Sequence, residues 1–201
     1  MSEHYYSKTP QSKSDQRNFT FQLRNHSFIF TTDHGVFSKN EVDYGSRVLI
    51  DAYQPPEIDG INVDLGCGYG PIGLSLAKAF PDQAFLLVDV NERALELAEI
   101  NRNQNHITNA TVMQSDRLQD VHQQPIASII TNPPIRAGKE TVHLMLEESF
   151  EKLTSGGQLW VVIQKKQGAP SAKKKMEEFF GEVDTVVKDK GYFVLVAKKF
   201  D

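Results

Sequence analysis

The sequence predicts a doubly wound α/β domain, with a mostly parallel seven-stranded sheet and a small N-terminal β-hairpin ahead of it. Three observations carry this. From residue 61 onward, short apolar runs of strand character alternate with helical periodicity, which implies parallel strands joined by right-handed crossovers. A glycine-rich turn, VDLGCGYG at 63–70, separates the first of those strands from the next helix. At the end, EVDTVVKDKGYFVLVAKK doubles back through a Lys-Gly turn too tight for a crossover, so one of the last two strands runs antiparallel.

Residues 1–17, MSEHYYSKTPQSKSDQR, are polar and aperiodic and read as a flexible tail. The remaining 18–201 read as one domain, with a hairpin and helix over 18–57 and a core over 58–201. FTFQL and FIFTT alternate apolar with polar residues on either side of a polar break at 24–27, the pattern of a hairpin. GVFSKNEVDYGSRVLIDAY begins as a loop and turns helical, with Val48, Leu49 and Ala52 on one face, until Pro55 and Pro56 end it. INVDL, AFLLVDV, ATVMQ, IASIIT and QLWVVIQ are the next five strands. Helices fill 71–80, 92–103, 139–153 and 171–180, the third closed by Gly156-Gly157. Trp160 falls in a strand, as a core or sheet-face residue.

A chain of 201 residues can bury one α/β core, with little left for a second. No apolar run approaches the ~20 residues that span a bilayer, and the N-terminus lacks the apolar stretch of a signal peptide. The single cysteine, Cys67, can form neither an internal disulfide nor a Cys-based metal cluster, and the six histidines show no metal-ligand spacing. The expectation is a cytoplasmic protein without membrane or metal. A net charge of -4 argues against bulk nucleic-acid binding. Yet basic residues gather late, at Lys165, Lys166, Lys173, Lys174, Lys175, Lys188, Lys190, Lys198 and Lys199. They fit solvated helix and strand ends as well as a local phosphate-binding patch, and composition does not separate the two.

Gly66, Gly68 and Gly70 permit a tight turn that brings backbone close to a ligand. Alone, such a loop suits NAD, FAD or S-adenosylmethionine, or is only a turn. Asp64, just before it, would repel a dinucleotide pyrophosphate but suits the cationic amino-acid end of S-adenosylmethionine. Asp89 ends the second core strand, where a carboxylate accepts from ribose hydroxyls. Asn91 is the better cap for the helix that follows, which leaves Asp89 free for the ligand. Ser115-Asp116 end the third strand, where an Asp accepts from an adenine amino group or simply occupies a surface turn. Acidic groups at three strand ends favour the methyl donor over a dinucleotide, because ligands of open α/β sheets bind at the carboxyl edge. Cys67 reads as a small loop residue and not a nucleophile, no His being close in sequence.

The fourth core strand runs into TNPPIRAGK at 131–139. Two prolines stop ladder pairing and stiffen the exit, and Asn132 adds an amide at its mouth. DLGCGYGPIG, VDVNERA and TNPPIRAGK together resemble the class I amino-methyltransferases with their Asn/Asp-Pro-Pro-aromatic motif. Within them the chain is similar to the RsmC-like small-subunit ribosomal RNA guanine-N2 methyltransferases, which also show a GVFS loop followed by D-x-G. Here these are Gly35-Val36-Phe37-Ser38 and Asp43-Tyr44-Gly45, and the resemblance covers roughly residues 20–200.

The resemblance implies a Rossmann-like class I fold, S-adenosylmethionine as cofactor, and ribosomal RNA or the small ribosomal subunit as partner. It implies that Gly66, Gly68 and Asp89 hold the cofactor and that Asp116 lies beside its adenine. Further cofactor contacts are expected from Phe37, Asp64, Cys67, Gly70, Val90, Ser115 and Asn132. Asn132 and the Pro133 carbonyl would accept hydrogen bonds from the exocyclic amine, with Pro134 and Ile135 completing the catalytic segment. No covalent enzyme intermediate is implied. Ile135 stands where an aromatic residue usually stacks on the base, and Phe37 or Tyr69 is expected to take that part. Arg136 and Lys139 suit phosphates or solvent equally. Some members of the group carry two methyltransferase-like halves and this chain carries one. RNA binding would then fall to the tail, the hairpin and the late lysines. Methylation of another amine (adenine, a protein glutamine, a small molecule) and a non-catalytic RNA-binding module both stay open at this point.

Overall fold

The computed structural model describes residues 14–33, 41–122 and 124–200. Strands β1 (Arg17–Leu23) and β2 (His26–Thr32) form the N-terminal hairpin, and α1 (Tyr44–Ala52) follows. The core then runs β3 (Ile61–Leu65), α2 (Pro71–Ala79), β4 (Phe85–Asp89), α3 (Glu92–Gln104), β5 (Ala110–Gln114) and β6 (Ile126–Thr131). It continues with α4 (Lys139–Lys152), β7 (Gln158–Gln164), α5 (Ala169–Phe180), β8 (Asp184–Asp189) and β9 (Tyr192–Lys198). Short 3-10 turns at Ile135–Ala137 and Lys165–Gln167 lead into α4 and α5.

The seven-stranded sheet has the order β5-β4-β3-β6-β7-β9-β8. The antiparallel strand is β9, which pairs that way with both β7 and β8 across a turn at Lys190 and Gly191. Strand order reverses between β3 and β6, so the loops leaving these two strands diverge and open a crevice at the carboxyl edge.

Period-two alternation divides the core between the two sheet faces. On one face Leu159, Val161 and Ile163 of β7 and Val63 and Leu65 of β3 pack with Met145 and Leu146 of α4 and Met176 of α5. On the other, Trp160 and Val162 join Leu49 of α1, Leu74 and Leu76 of α2, Leu97 of α3 and the hairpin's Phe28 and Phe30. Trp160 is thus a core residue, edge-on to Tyr53 at 5.2 Å. The Tyr53 hydroxyl sits in a buried cluster with Asn62 Oδ1 (2.9 Å) and Ser128 Oγ (2.7 Å).

The hairpin turn is tighter than the expected break at 24–27. Arg24 and Asn25 both take positive φ (47° and 65°), the two-residue geometry that matches strand twist, so Leu23 pairs directly with His26. Ser14 and Asp15, inside the stretch read as a tail, donate to the Asp33 carboxylate at 2.7 and 2.6 Å. The hairpin docks through two asparagines one turn apart, Asn101 in α3 and Asn105 at its C-cap. Asn101 Oδ1 accepts from Thr31 N–H (2.7 Å) and its Nδ2 donates to Thr31 O (3.0 Å) and Tyr69 O (2.8 Å). Asn105 repeats the pairing with Ile29 N–H (3.0 Å) and O (2.8 Å). No helix among the described residues is long and apolar enough to cross a membrane.

Candidate active site

The glycine loop leaves β3 on one side of the crevice and the Asn-Pro-Pro segment leaves β6 on the other. Thr131 Oγ1 ties them, donating to Leu65 O at 2.8 Å. The loop needs left-handed backbone at Gly66, Gly68 and Gly70, with φ of 75°, 57° and 97°. The N–H groups of Gly66 and Cys67 both donate to Val88 O at 2.9 Å. Gly68 N–H donates to Asp89 Oδ2 at 2.9 Å, and Asn91 N–H to Asp89 Oδ1 at 2.9 Å. Asn91 caps α3 as expected, accepting from Ala94 N–H at 3.1 Å. Asp89 is thus not the cap; each of its oxygens accepts one backbone N–H, which braces the loop and leaves each a second acceptor position. Burial pushes its carboxyl above the usual range, against the pull of those N–H donors. Val90 O accepts from Gln114 Nε2 at 3.2 Å.

Asp64 is fully buried. Its Oδ2 accepts from Gly73 N–H at 2.8 Å, while Oδ1 has no partner among the described residues. Burial raises this carboxyl to about 7, and the neighbouring Asp89 adds to the effect. Gly73 went unremarked in the sequence. A Cβ there would lie 2.6 Å from Leu87 Cγ and 2.9 Å from Asp64 Oδ2, so only glycine lets α2 approach β3 and β4 this closely. Cys67 is buried beside these acids, and burial holds its thiol well above the ordinary value, the opposite of a nucleophile.

At the end of β5, Ser115 is buried, its N–H donating to Asp89 O (3.0 Å) and its Oγ accepting from Asp120 N–H (3.1 Å). Asp116 opens a surface turn, its carbonyl accepting from Gln119 N–H at 3.2 Å. The Asp116 carboxylate, 50% exposed, pairs with Arg117 at 3.0 Å.

Across the crevice, Asn132 Nδ2 donates to Asp43 Oδ2 at 2.9 Å and to Ser46 Oγ at 3.1 Å. A carboxylate can only accept, so the amide atom facing Asp43 must be the nitrogen, and Oδ1 is directed away from Asp43 as an acceptor. Asp43 is also the N-cap of α1, its Oδ2 accepting from Ser46 N–H at 3.0 Å. The sequence marked Asp43 only as part of D-x-G and did not mark Ser46. The link to Asn132 spans 89 residues and has no local signal.

Pro133 is buried, and Pro134 O accepts from Ala137 N–H at 2.9 Å. Ile135 is partly buried, packed against the edge of the core cluster that holds α4 and α5. Tyr69 cannot take the part of a missing ring. It is 3% exposed, with its ring edge-on to Phe30 (5.6 Å) and Phe19 (6.3 Å) in the core. Phe37 and the rest of the GVFS loop lie outside the described residues.

The late lysines divide. Lys173 and Lys175 pair with Glu177 and Glu178 along α5, and Lys199 Nζ donates to Leu153 O at the end of α4 (2.8 Å). Lys165 and Lys166, just past β7, and Lys188 and Lys190, at the β8–β9 turn, are exposed at the carboxyl edge. Lys165 N–H donates to Gly191 O at 2.8 Å, joining these two loops. Arg136 and Lys139, after β6, are exposed on the same edge. Among the described residues no cluster of His, Cys, Asp and Glu is arranged to hold a metal ion.

Comparison with known proteins agrees with this architecture. The chain is 58% identical over 200 residues to the uncharacterized protein YbxB of Bacillus subtilis (strain 168), covering 99% of this chain and 100% of that one. It is 31% identical over 189 residues to the ribosomal RNA small subunit methyltransferase C of Vibrio cholerae serotype O1, covering 91% of this chain and 53% of that one. The Thermus thermophilus 16S rRNA N2 G1207 methyltransferase (RsmC), solved with AdoMet and guanosine, superposes with a TM-score of 0.82 at 25% identity. That match covers 94% of this chain and 52% of the other. The chain therefore spans about half the length of these ribosomal RNA methyltransferases. Residues 27–196 match the methyltransferase small domain, and with the switch-point crevice and its two loops in place, the chain belongs to the methyltransferase small domain family.

Proposed function

We propose that this protein transfers a methyl group from S-adenosylmethionine to the exocyclic amine of a base, guanine N2 of small-subunit ribosomal RNA. The observation that carries the reading is the state of Asn132. Its amide N–H groups are engaged by Asp43 and Ser46, which leaves Oδ1 as the acceptor at the mouth of the crevice. An aromatic amine is a poor nucleophile because its lone pair is delocalised into the ring. Asn132 Oδ1 and the Pro133 carbonyl, accepting its N–H groups, draw the nitrogen toward a tetrahedral arrangement and stabilise the positive charge that develops there. The Asp43 carboxylate on the far side of the amide polarises it and strengthens Oδ1 as an acceptor. Asp43 and Ser46 are in this sense positioning residues.

The glycine-loop half of the crevice fits the cofactor. Asp64 Oδ1 is a buried carboxylate oxygen without a partner among the described residues, which suits the ammonium group of an amino-acid moiety. Gly66 has open space where a Cβ would stand, so a ligand can lie against its backbone. Asp89, Val90, Ser115 and Asp116 follow along the same edge toward the ribose and adenine ends. When bound, S-adenosylmethionine supplies an electrophilic methyl group on a sulfonium centre.

The test is transfer of labelled methyl to ribosomal RNA, free and in assembled small subunits, from cells lacking this protein. The expected result is label on a guanine exocyclic amine, abolished by Asn132→Ala while cofactor affinity stays within a few-fold of wild type. Label that persists in Asn132→Ala, or cofactor affinity lost along with it, overturns the role of Asn132. Cofactor binding with no label on RNA overturns the substrate.

A further inference from the structure

Ile135 has no ring, and Tyr69 is buried against the hairpin, so neither offers a π-face to a base at the crevice. Two partly exposed tyrosines lie beside Asp43, the residue that holds Asn132, on elements the Asn-Pro-Pro motif does not include. Tyr192 is the first residue of β9 and Tyr44 the first of α1, with their rings 5.7 Å apart. Gly45 brings Tyr192 to this place. A Cβ on Gly45 would lie 2.7 Å from Tyr192 Cε1 and 3.1 Å from Asp43 Oδ2, the same oxygen that accepts from Asn132. The ring of Tyr192 and the carboxylate that holds Asn132 thus border the same small space above Gly45. Any side chain at position 45 would push it away.

The surroundings are cationic. Lys190 Nζ lies 4.8 Å and Arg47 Cζ 4.9 Å from the Tyr44 ring centroid, and Lys165 meets Gly191 through the backbone. Two acids face the pair: Asp189 accepts a hydrogen bond from the Tyr44 hydroxyl, and Asp43, already engaged by Asn132, lies on the Tyr192 side. Aromatic rings interleaved with cations at the edge of a catalytic crevice match a single-stranded nucleic acid, whose bases stack and whose phosphates pair.

We propose that Tyr192 supplies the ring face on which the base to be methylated stacks, in place of the aromatic residue absent at 135. Lys190 and Lys165 take the phosphates beside it. This deepens the reading of the protein as an RNA amino-methyltransferase and rests on it.

The experiment uses the full chain with S-adenosylhomocysteine, titrated against a guanosine-containing single-stranded oligoribonucleotide, alongside the KM for that RNA in methyl transfer. Tyr192→Leu keeps an apolar side chain, though a smaller one, and loses the π-face. It should weaken RNA binding and raise KM by about 5- to 150-fold, with cofactor affinity and melting temperature close to wild type. Tyr192→Phe should restore binding relative to the leucine variant. Lys190→Glu, on an exposed turn, should weaken binding independently of any effect on folding. RNA binding and KM unchanged in Tyr192→Leu, with wild type active on RNA, overturn the stacking role alone. If Tyr192→Leu does not fold, unchanged binding by Lys190→Glu overturns the docking face. A wild type that binds no RNA overturns the underlying reading as well.

Discussion

Asp43 performs two tasks with one oxygen, capping α1 and holding the amide of Asn132. Substitution separates them. Asn caps a helix as well as Asp does, so Asp43→Asn should keep its stability yet lower kcat by about tenfold to a hundredfold, the worth of a charge-assisted hydrogen bond. Asp43→Ala should lose the same activity and also about 1 kcal/mol of stability. Steady-state kinetics beside urea melts decide it, and equal kcat in wild type and Asp43→Asn would show that the carboxylate charge is idle. Asp64 gives a pH signature. Its carboxyl rises to about 7 in the folded protein from an ordinary 3.8, so the folded state holds the proton more tightly than the unfolded. Its contribution to stability is greatest below the unfolded value and is lost as pH climbs toward about 7. An ammonium partner reverses the preference in favour of the ionised form. Cofactor affinity should therefore rise as pH climbs toward about 7 and level off above it, and Asp64→Asn should flatten that rise. Calorimetric titration across this range checks it, and a flat wild-type profile excludes the contact.

The hairpin is the element whose attachment no local pattern announces. Its alternation was readable in FTFQL and FIFTT, but not that Asn101 and Asn105, one helical turn apart, pair with the backbone of β2 much as another strand would. Asparagine is a poor helix former, and Asn101 in line with the buried Ala94, Leu97 and Ala98 of α3 is the hint the sequence holds. Asn101→Ala orphans the buried Thr31 amide, which alone should cost about 1–3 kcal/mol. Hydrogen exchange at Thr31 and Ile29 should quicken well before global unfolding. Protection left unchanged at Thr31 would mean that the phenylalanine cluster, and not the asparagines, holds the hairpin down. Because Asn101 also donates to Tyr69 O beside the glycine loop, loosening the hairpin should weaken cofactor binding too.

At the scale of the whole molecule, an acidic protein presents a basic edge. The net charge of -4 conceals this, since strand order alone brings Arg136, Lys139, Lys165, Lys166, Lys188 and Lys190 to the carboxyl edge. Lys198 ends β9 at the opposite end of the sheet, and Lys199 follows it. Binding of single-stranded RNA should weaken with salt, and three to five phosphate contacts give a log–log slope of about -2 to -3.5. Lys165→Glu with Lys190→Glu should shallow that slope, whereas Lys198→Glu should leave it unchanged. Identical slopes in the two variants would disperse the patch.

Fold class, strand sequence, the antiparallel ending and the two crevice loops were determined by the sequence itself. Each rests on local information: period-two and helical periodicity, glycine and proline punctuation, and caps such as Asn91. Tertiary structure alone decided which groups meet. Asp43 reaches Asn132 across 89 residues, Tyr192 comes to rest on Gly45, Asp89 braces the glycine loop, and Tyr69 is buried. The physical reason is that a residue's neighbours along the chain set its backbone conformation. Its chemical partners are set by crossovers that bring distant strand ends to one edge, and by burial that fixes which polar atoms find partners there.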